Sequence, residues 1–156
     1  MITGESLVTA FTRNADYIHT HLNGITHAES LIQPPAKGNC ILWIVGHIVC
    51  YRNYILKALG LPPAMAEDAM KRFARDSAPV LGEEDGLPRL EQLMDAYDKS
   101  QAMIIEALRG MTHEQGSTPY GETGTPRAEA VMSYMRHESY HAGQLELLRE
   151  IVLSKR

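Results

Sequence analysis

Apolar residues along the chain recur at spacings of three and four, and nowhere alternate with polar ones for long, so the pattern is that of amphipathic helices rather than strands. Four long helices are predicted. The first runs from about Gly4 to Asn23, with Leu7, Val8, Phe11, Ala15, Ile18 and Leu22 on one stripe and Gly24 as its stop. The second takes Asn39 as its N-cap, is unusually apolar from Ile41 to Leu59, and closes at Gly60 before Pro62-Pro63; it should be the most buried. The third spans about Leu87 to Arg109 and carries Leu90, Leu93, Met94, Tyr97, Met103, Ile104 and Leu108. The fourth opens with Thr125 as N-cap and Pro126 at the first helical position, and continues to about Val152. The link from Leu61 to Gly86 is long enough to cross from one end of a bundle to the other, with a short helix over about Ala66 to Arg75. No internal repeat or linker composition interrupts this series. The expectation is one all-α domain over residues 1–156, a four-helix bundle with a long crossover between its second and third helices.

Charge and composition remove several function classes. The 156 residues include 15 Lys+Arg and 19 Asp+Glu, a net charge of −4, with no basic cluster for nucleic-acid phosphate or anionic lipid. No apolar run approaches the ~20 residues needed to cross a bilayer. The first ten residues carry Glu5 and no basic group, unlike a secretory signal, so a cytoplasmic location is expected. Cys40 and Cys50 fall in one helical segment, roughly 15 Å apart at 1.5 Å per residue, too far to pair with each other.

The chemistry concentrates in histidine. His137 and His141 stand at i and i+4, on one face of the fourth helix. That face is otherwise Ala130, Tyr134, Leu145, Leu148 and Val152, so both imidazoles point toward the core. Unpartnered imidazoles there are unfavourable, and a cation satisfies both ligating nitrogens at once; core histidines bonded to carbonyls or water are the plainer alternative. His47 lies in the most apolar stretch, Trp43 to Val49, and would complete three neutral nitrogen ligands from two facing helices, leaving a position open for water or substrate. Gly46 beside it would let another helix approach closely. His19, His21, His27 and His113 lack such a setting and read as surface residues.

The string His137-Glu138-x-x-His141 also matches the zinc-protease pattern, whose longer form needs glycine at 144 and histidine at 147. Gln144 and Leu147 stand there instead, and no strand is predicted to hold a peptide. Around the histidines, Cys50 is one turn past His47, a candidate fourth ligand or redox thiol but also an ordinary packing residue. Tyr51, Tyr54 and Tyr134 are placed to donate to a bound ligand. Glu138, about 100° around the helix from His137, and Gln144, one turn past His141, are candidates to orient an imidazole from behind, with Glu138 alternatively facing solvent. Ile41, Ile44, Ile48 and Ile55 beside His47, with Val131, Met132 and Met135 beside His137, exceed what one bundle core can take, which predicts a homodimer.

Two stretches, Asn39-x-x-x-Trp43-Ile44-x-Gly46-His47-Ile48 and His137-Glu138-x-x-His141-x-Gly143-Gln144, resemble the DinB-like (YfiT-like) metal-binding superfamily, and the resemblance covers essentially the whole chain. It implies a four-helix bundle, commonly a homodimer, with a divalent metal on one histidine of the second helix and two of the fourth, here His47, His137 and His141. The superfamily includes thiol S-transferases using bacillithiol or related low-molecular-weight thiols, mycothiol-dependent isomerases, and many members without assigned activity. Many relatives have arginine where this chain has Ala142, so the thiol's identity does not carry over. The expected function is a metal-dependent enzyme, on Zn, Ni or Fe, that activates a small thiol for transfer or addition to a small electrophile in detoxification or stress response. A metal-dependent hydrolase of a small substrate and a non-catalytic dimeric metal-binding stress protein are the alternatives.

Overall fold

The computed structural model describes residues 2–156. Helix α1, Gly4–Leu22, opens on a capping box in which the Thr3 and Ser6 side chains each bond the other's backbone N–H. A single helical turn, α2, His27–Ser30, is capped the same way by Thr26 and Glu29. Then come α3, Ile41–Ala58, the short α4, Glu67–Arg72, and α5, Leu90–Arg109. After α5 follow α6, His113–Ser117, and a two-residue hairpin, β1 Pro119–Tyr120 antiparallel to β2 Thr125–Pro126, with Tyr120 opposite Thr125. The last helix is α7, Arg127–Leu153. Among the described residues no helix is long and apolar enough to cross a membrane.

The long helices form a bundle in which α1 and α3 each pack against both α5 and α7. Two apolar groups fix their directions. Leu7 and Phe11 of α1 pack at one end with Ile55 and Leu56 of α3, Ile104 and Leu108 of α5, and Val131 of α7. Ile18 and Leu22 share the other end with Ile41 to Val49, with Leu90 and Leu93, and with Leu145 to Val152. Hence α1 and α7 run one way, α3 and α5 the other, and the chain between the parallel α3 and α5 must travel the length of the bundle. That is the expected crossover.

The crossover also changes the account of the apolar surplus. Met65, Phe73 and Val80, all from this segment, are buried against α3, and Ile41, Ile44, Ile48 and Ile55 are buried within the chain, as is Val131; Met132 and Met135 are partly buried in the same core. Ile41, Ile44 and Ile48 thus share a core with the crossover residues Met65, Phe73 and Val80, and Ile55, Val131, Met132 and Met135 share the other core with α1 and α5.

Several boundaries differ from the sequence pattern for local reasons. α3 begins at Cys40 as N-cap, without a side-chain cap, rather than at Asn39. The short helix ends at Arg72 because Phe73 turns inward to fill the hollow over Gly46, where an added Cβ would collide with its ring. It is this ring, and not another helix, that uses the space Gly46 leaves. α5 starts at Leu90, after Pro88-Arg89, and Thr125 and Pro126 are taken by the hairpin, so Pro126 caps α7 rather than entering it. His27 is buried rather than on the surface: its Nδ1 accepts the Leu90 N–H at 3.1 Å, and its Nε2 stands 3.0 Å from a Glu83 carboxylate oxygen, close enough to pair although not aligned for a hydrogen bond. His19 and His113 are exposed and His21 half-buried.

Candidate metal centre

α3 and α7 bring His47, His137 and His141 together, one ligand nitrogen from each lying within 4.8 Å of the others. The apolar face of each helix carries its histidine inward, so the cluster follows from the packing stripe itself. Nε2 of His141 is 3.2 Å from Nε2 of His137. Two nitrogens held at about 2.0–2.1 Å around one tetrahedral cation would stand roughly 3.4 Å apart, so this pair already has ligand spacing.

Two of the imidazoles are aimed from behind. His47 donates through Nδ1 to the Phe73 carbonyl at 2.7 Å, and His141 through Nδ1 to Gln144 Oε1 at 2.7 Å, which leaves Nε2 of each as the free lone pair. His137 Nδ1 is buried without a partner among the described residues; the Tyr51 ring stacks on this imidazole at 3.8 Å between centroids, and Trp43 stacks on His47 at 4.7 Å. Trp43 is held in turn by its Nε1–H to Ser77 Oγ at 3.1 Å.

Burial favours the neutral form of all three imidazoles. Burial pushes His141 down to about 4, against the Gln144 hydrogen bond and helped by its two histidine neighbours. Burial also lowers His47, opposed by its bond to Phe73, and lowers His137, aided by His47. The neutral imidazole is the metal-binding form. The donor set, its spacing and its protonation therefore fit a divalent cation such as zinc, nickel or iron.

The cluster lies in the wall of a cleft of about 470 Å³, which Trp43, Tyr51, Tyr140 and Gln144 also line and which Arg75, Asp76 and Ser77 of the crossover rim. Gln144 and Tyr51 are at this site. Tyr134 is not: it stacks on Tyr54 at 6.1 Å and reaches Tyr51 only edge-on at 6.4 Å, outside the cleft. Cys50 is also elsewhere, its Sγ 3.8 Å from the Met70 carbonyl and its pKa pushed up to about 11 by burial, so it is neither ligand nor ready nucleophile. Ala142 is buried in the core and does not line the cleft.

Glu138 neither orients an imidazole nor meets solvent. It is buried and holds Arg52 in a two-point ion pair, Nε to Oε2 at 2.7 Å and Nη2 to Oε1 at 2.9 Å. The guanidinium further donates to the Tyr97 carbonyl, Ser100 Oγ and Gln101 Oε1, and lies 3.6 Å from the Tyr97 ring centroid. A buried charge so fully bonded ties α3, α5 and α7 together one turn from the histidines. The zinc-protease reading ends here, since its general base would have to be Glu138.

Residues 10–145 match the DinB superfamily. The chain belongs to that superfamily. Its fold is similar to the crystal structure of a conserved protein from Enterococcus faecalis, at a TM-score of 0.74 and 18% identity over 99% of both chains. A comparison with curated proteins found no match.

Proposed function

We propose that the protein holds one divalent cation on His47, His137 and His141 and activates a low-molecular-weight thiol for transfer or addition to a small electrophile. The observation that carries this reading is the convergence of three neutral imidazoles on a cleft, two of them with Nδ1 fixed by Phe73 and Gln144. A divalent cation there would supply positive charge that favours the ionised, nucleophilic form of a thiol.

The chain's own residues favour a thiol over water as the reactant. Glu138 is committed to Arg52, and the carboxylate on the cleft rim, Asp76, is exposed, so among the described residues no buried carboxylate lines the cleft to take a proton from water. A thiol brings a more acidic proton of its own. The cleft walls, Trp43, Tyr51 and Tyr140, give an apolar body somewhere to lie. A cytoplasmic homodimer serving detoxification or stress response belongs to the same reading, and a monomer mass by light scattering would remove its dimer.

The test uses protein purified without a histidine tag and loaded with zinc, nickel or iron. Glutathione, bacillithiol, mycothiol and cysteine are each offered with several small electrophiles. Thiol consumption that is lost in His47→Ala and kept in Cys50→Ser supports the proposal; loaded protein that accelerates none of these reactions contradicts its catalytic half.

A further inference from the structure

The sequence pattern assigns Asn39 as the N-cap of α3, and the structure leaves it free of that task. Cys40 is the N-cap, no side chain caps that end, and the Asn39 carboxamide makes no hydrogen bond among the described residues. It is half-buried and lines the histidine cleft with Trp43, His47, His141 and Gln144. Asn39, Trp43 and His47 follow one another at four-residue intervals, and helical side chains lean toward the N-terminus, so His47 leans toward Trp43, on which it stacks, and toward the end that Asn39 occupies. Because α7 runs opposite to α3, Gln144, three residues past His141, lies toward that same end.

Most other polar groups of the cleft already have partners. Ser77 Oγ accepts the Trp43 Nε1–H and donates to the Arg72 carbonyl. Arg75 and Asp76 on the rim are both exposed and face each other at 3.7 Å, one charge of each sign, so the rim has no excess charge to select an ion. That leaves two carboxamides, beside the hydroxyls of Tyr51 and Tyr140. Gln144 gives its Oε1 to His141 Nδ1, so its remaining NH2 can only donate to a guest. Asn39, from the other helix, can present its Oδ1 as an acceptor. A secondary amide in its ordinary trans form carries N–H on one edge and C=O on the opposite edge, and so fits between an acceptor on one wall and a donor on another.

We propose, on the thiol reading of the site given above, that Asn39 is a specificity-determining residue of the histidine cleft. Its Oδ1 accepts the N–H of an amide in the ligand while the Gln144 side chain donates to that amide's carbonyl. The thiols that the cleft takes are therefore those with a secondary amide close to the sulfur, in preference to thiols without one.

Titration of the nickel-loaded protein with N-methyl-3-mercaptopropionamide and methyl 3-mercaptopropionate tests this, each followed by the near-ultraviolet charge-transfer absorption that a thiol gives on joining the metal. The two thiols are neutral, equal in length, and differ by N–H in place of O. In a cleft open to water the amide should bind about fivefold tighter, the effect of one net hydrogen bond. Asn39→Ala should bring the amide down to the affinity of the ester, with nickel content and ester affinity unchanged. Equal binding of the two by the wild-type protein, a measurement that needs no variant, would overturn the preference for an amide. A gap that survives in Asn39→Ala would overturn the assignment to Asn39. Both results would leave the thiol reading standing, whereas no thiol-dependent absorption from either compound would contradict that reading and this proposal with it.

Discussion

The Phe73 carbonyl accepts the Nδ1 proton of His47 at 2.7 Å, and the ring of the same Phe73 occupies the hollow over Gly46, the residue just before that histidine. One crossover residue thus sets both the packing beside His47 and its orientation. A methyl group at position 46 has no room unless Phe73 moves, and if Phe73 moves, His47 loses its acceptor.

Gly46→Ala should therefore lower both stability and metal affinity. Overpacking of this kind destabilises by about 1–3 kcal/mol, visible as a lower urea midpoint. Zinc titration with a competing chelator should show weaker binding by the variant even where it is fully folded. Unchanged affinity would mean that the Phe73 contact does not orient His47.

Gln144 acts on His141 through one hydrogen bond. Gln144→Leu removes the acceptor and should weaken metal binding about 10- to 100-fold, the usual effect of losing a group that holds a ligand from behind. Gln144→Glu keeps an acceptor oxygen and should restore most of the affinity. Competition titrations on the two variants distinguish this orienting role from simple packing.

Arg52 and Glu138 make a buried pair whose members depend on each other. Glu138→Gln or Arg52→Met alone should destabilise by about 3–5 kcal/mol, because the remaining charge is left buried and uncompensated. The double variant Arg52→Met/Glu138→Leu should recover much of that loss. If chemical denaturation gives additive losses instead, the pair is not coupled as its geometry requires.

The histidines give the metal-free protein a pH dependence of definite sign. Burial in the folded chain holds His141 down to about 4 and His47 and His137 below the ordinary imidazole value of 6.5, which all three regain in the unfolded chain. Below pH 6.5 the unfolded chain binds protons that the folded chain does not. Stability in the presence of a chelator should therefore fall as pH drops from about 6.5 toward 4. A His47→Asn/His137→Asn/His141→Asn variant should lose that part of the slope in urea titrations at a series of pH values; an identical slope would show that these imidazoles are not buried neutral.

Much of this arrangement was legible in the chain. His137 and His141 share a stripe with Leu145 and Leu148, and His47 interrupts an apolar run, so helical periodicity alone turns all three inward. The bundle and its crossover follow from the same periodicity and from the length of the Leu61–Gly86 link. Phe73 was not legible, because it reaches His47 from 26 positions away, out of a segment with no period to read. The partner of Glu138 was hidden for another reason: two charges on different helices meet only once the rotation of both helices is known. Its one trace in the sequence is Arg52, the single Asp, Glu, Lys or Arg between Ile41 and Leu56. His27 was misplaced because its partner, the Leu90 N–H, comes from the start of a helix 63 positions on.

The central claim, that His47, His137 and His141 hold one divalent cation, is tested most directly by elemental analysis of untagged protein after exhaustive dialysis. The wild-type chain should retain about one equivalent of zinc, nickel or iron, and the His47→Ala/His137→Ala/His141→Ala variant, checked for helical content by circular dichroism, should retain none. A folded triple variant that keeps the full equivalent, or a wild-type chain that binds no divalent metal when it is supplied in excess, would contradict the account.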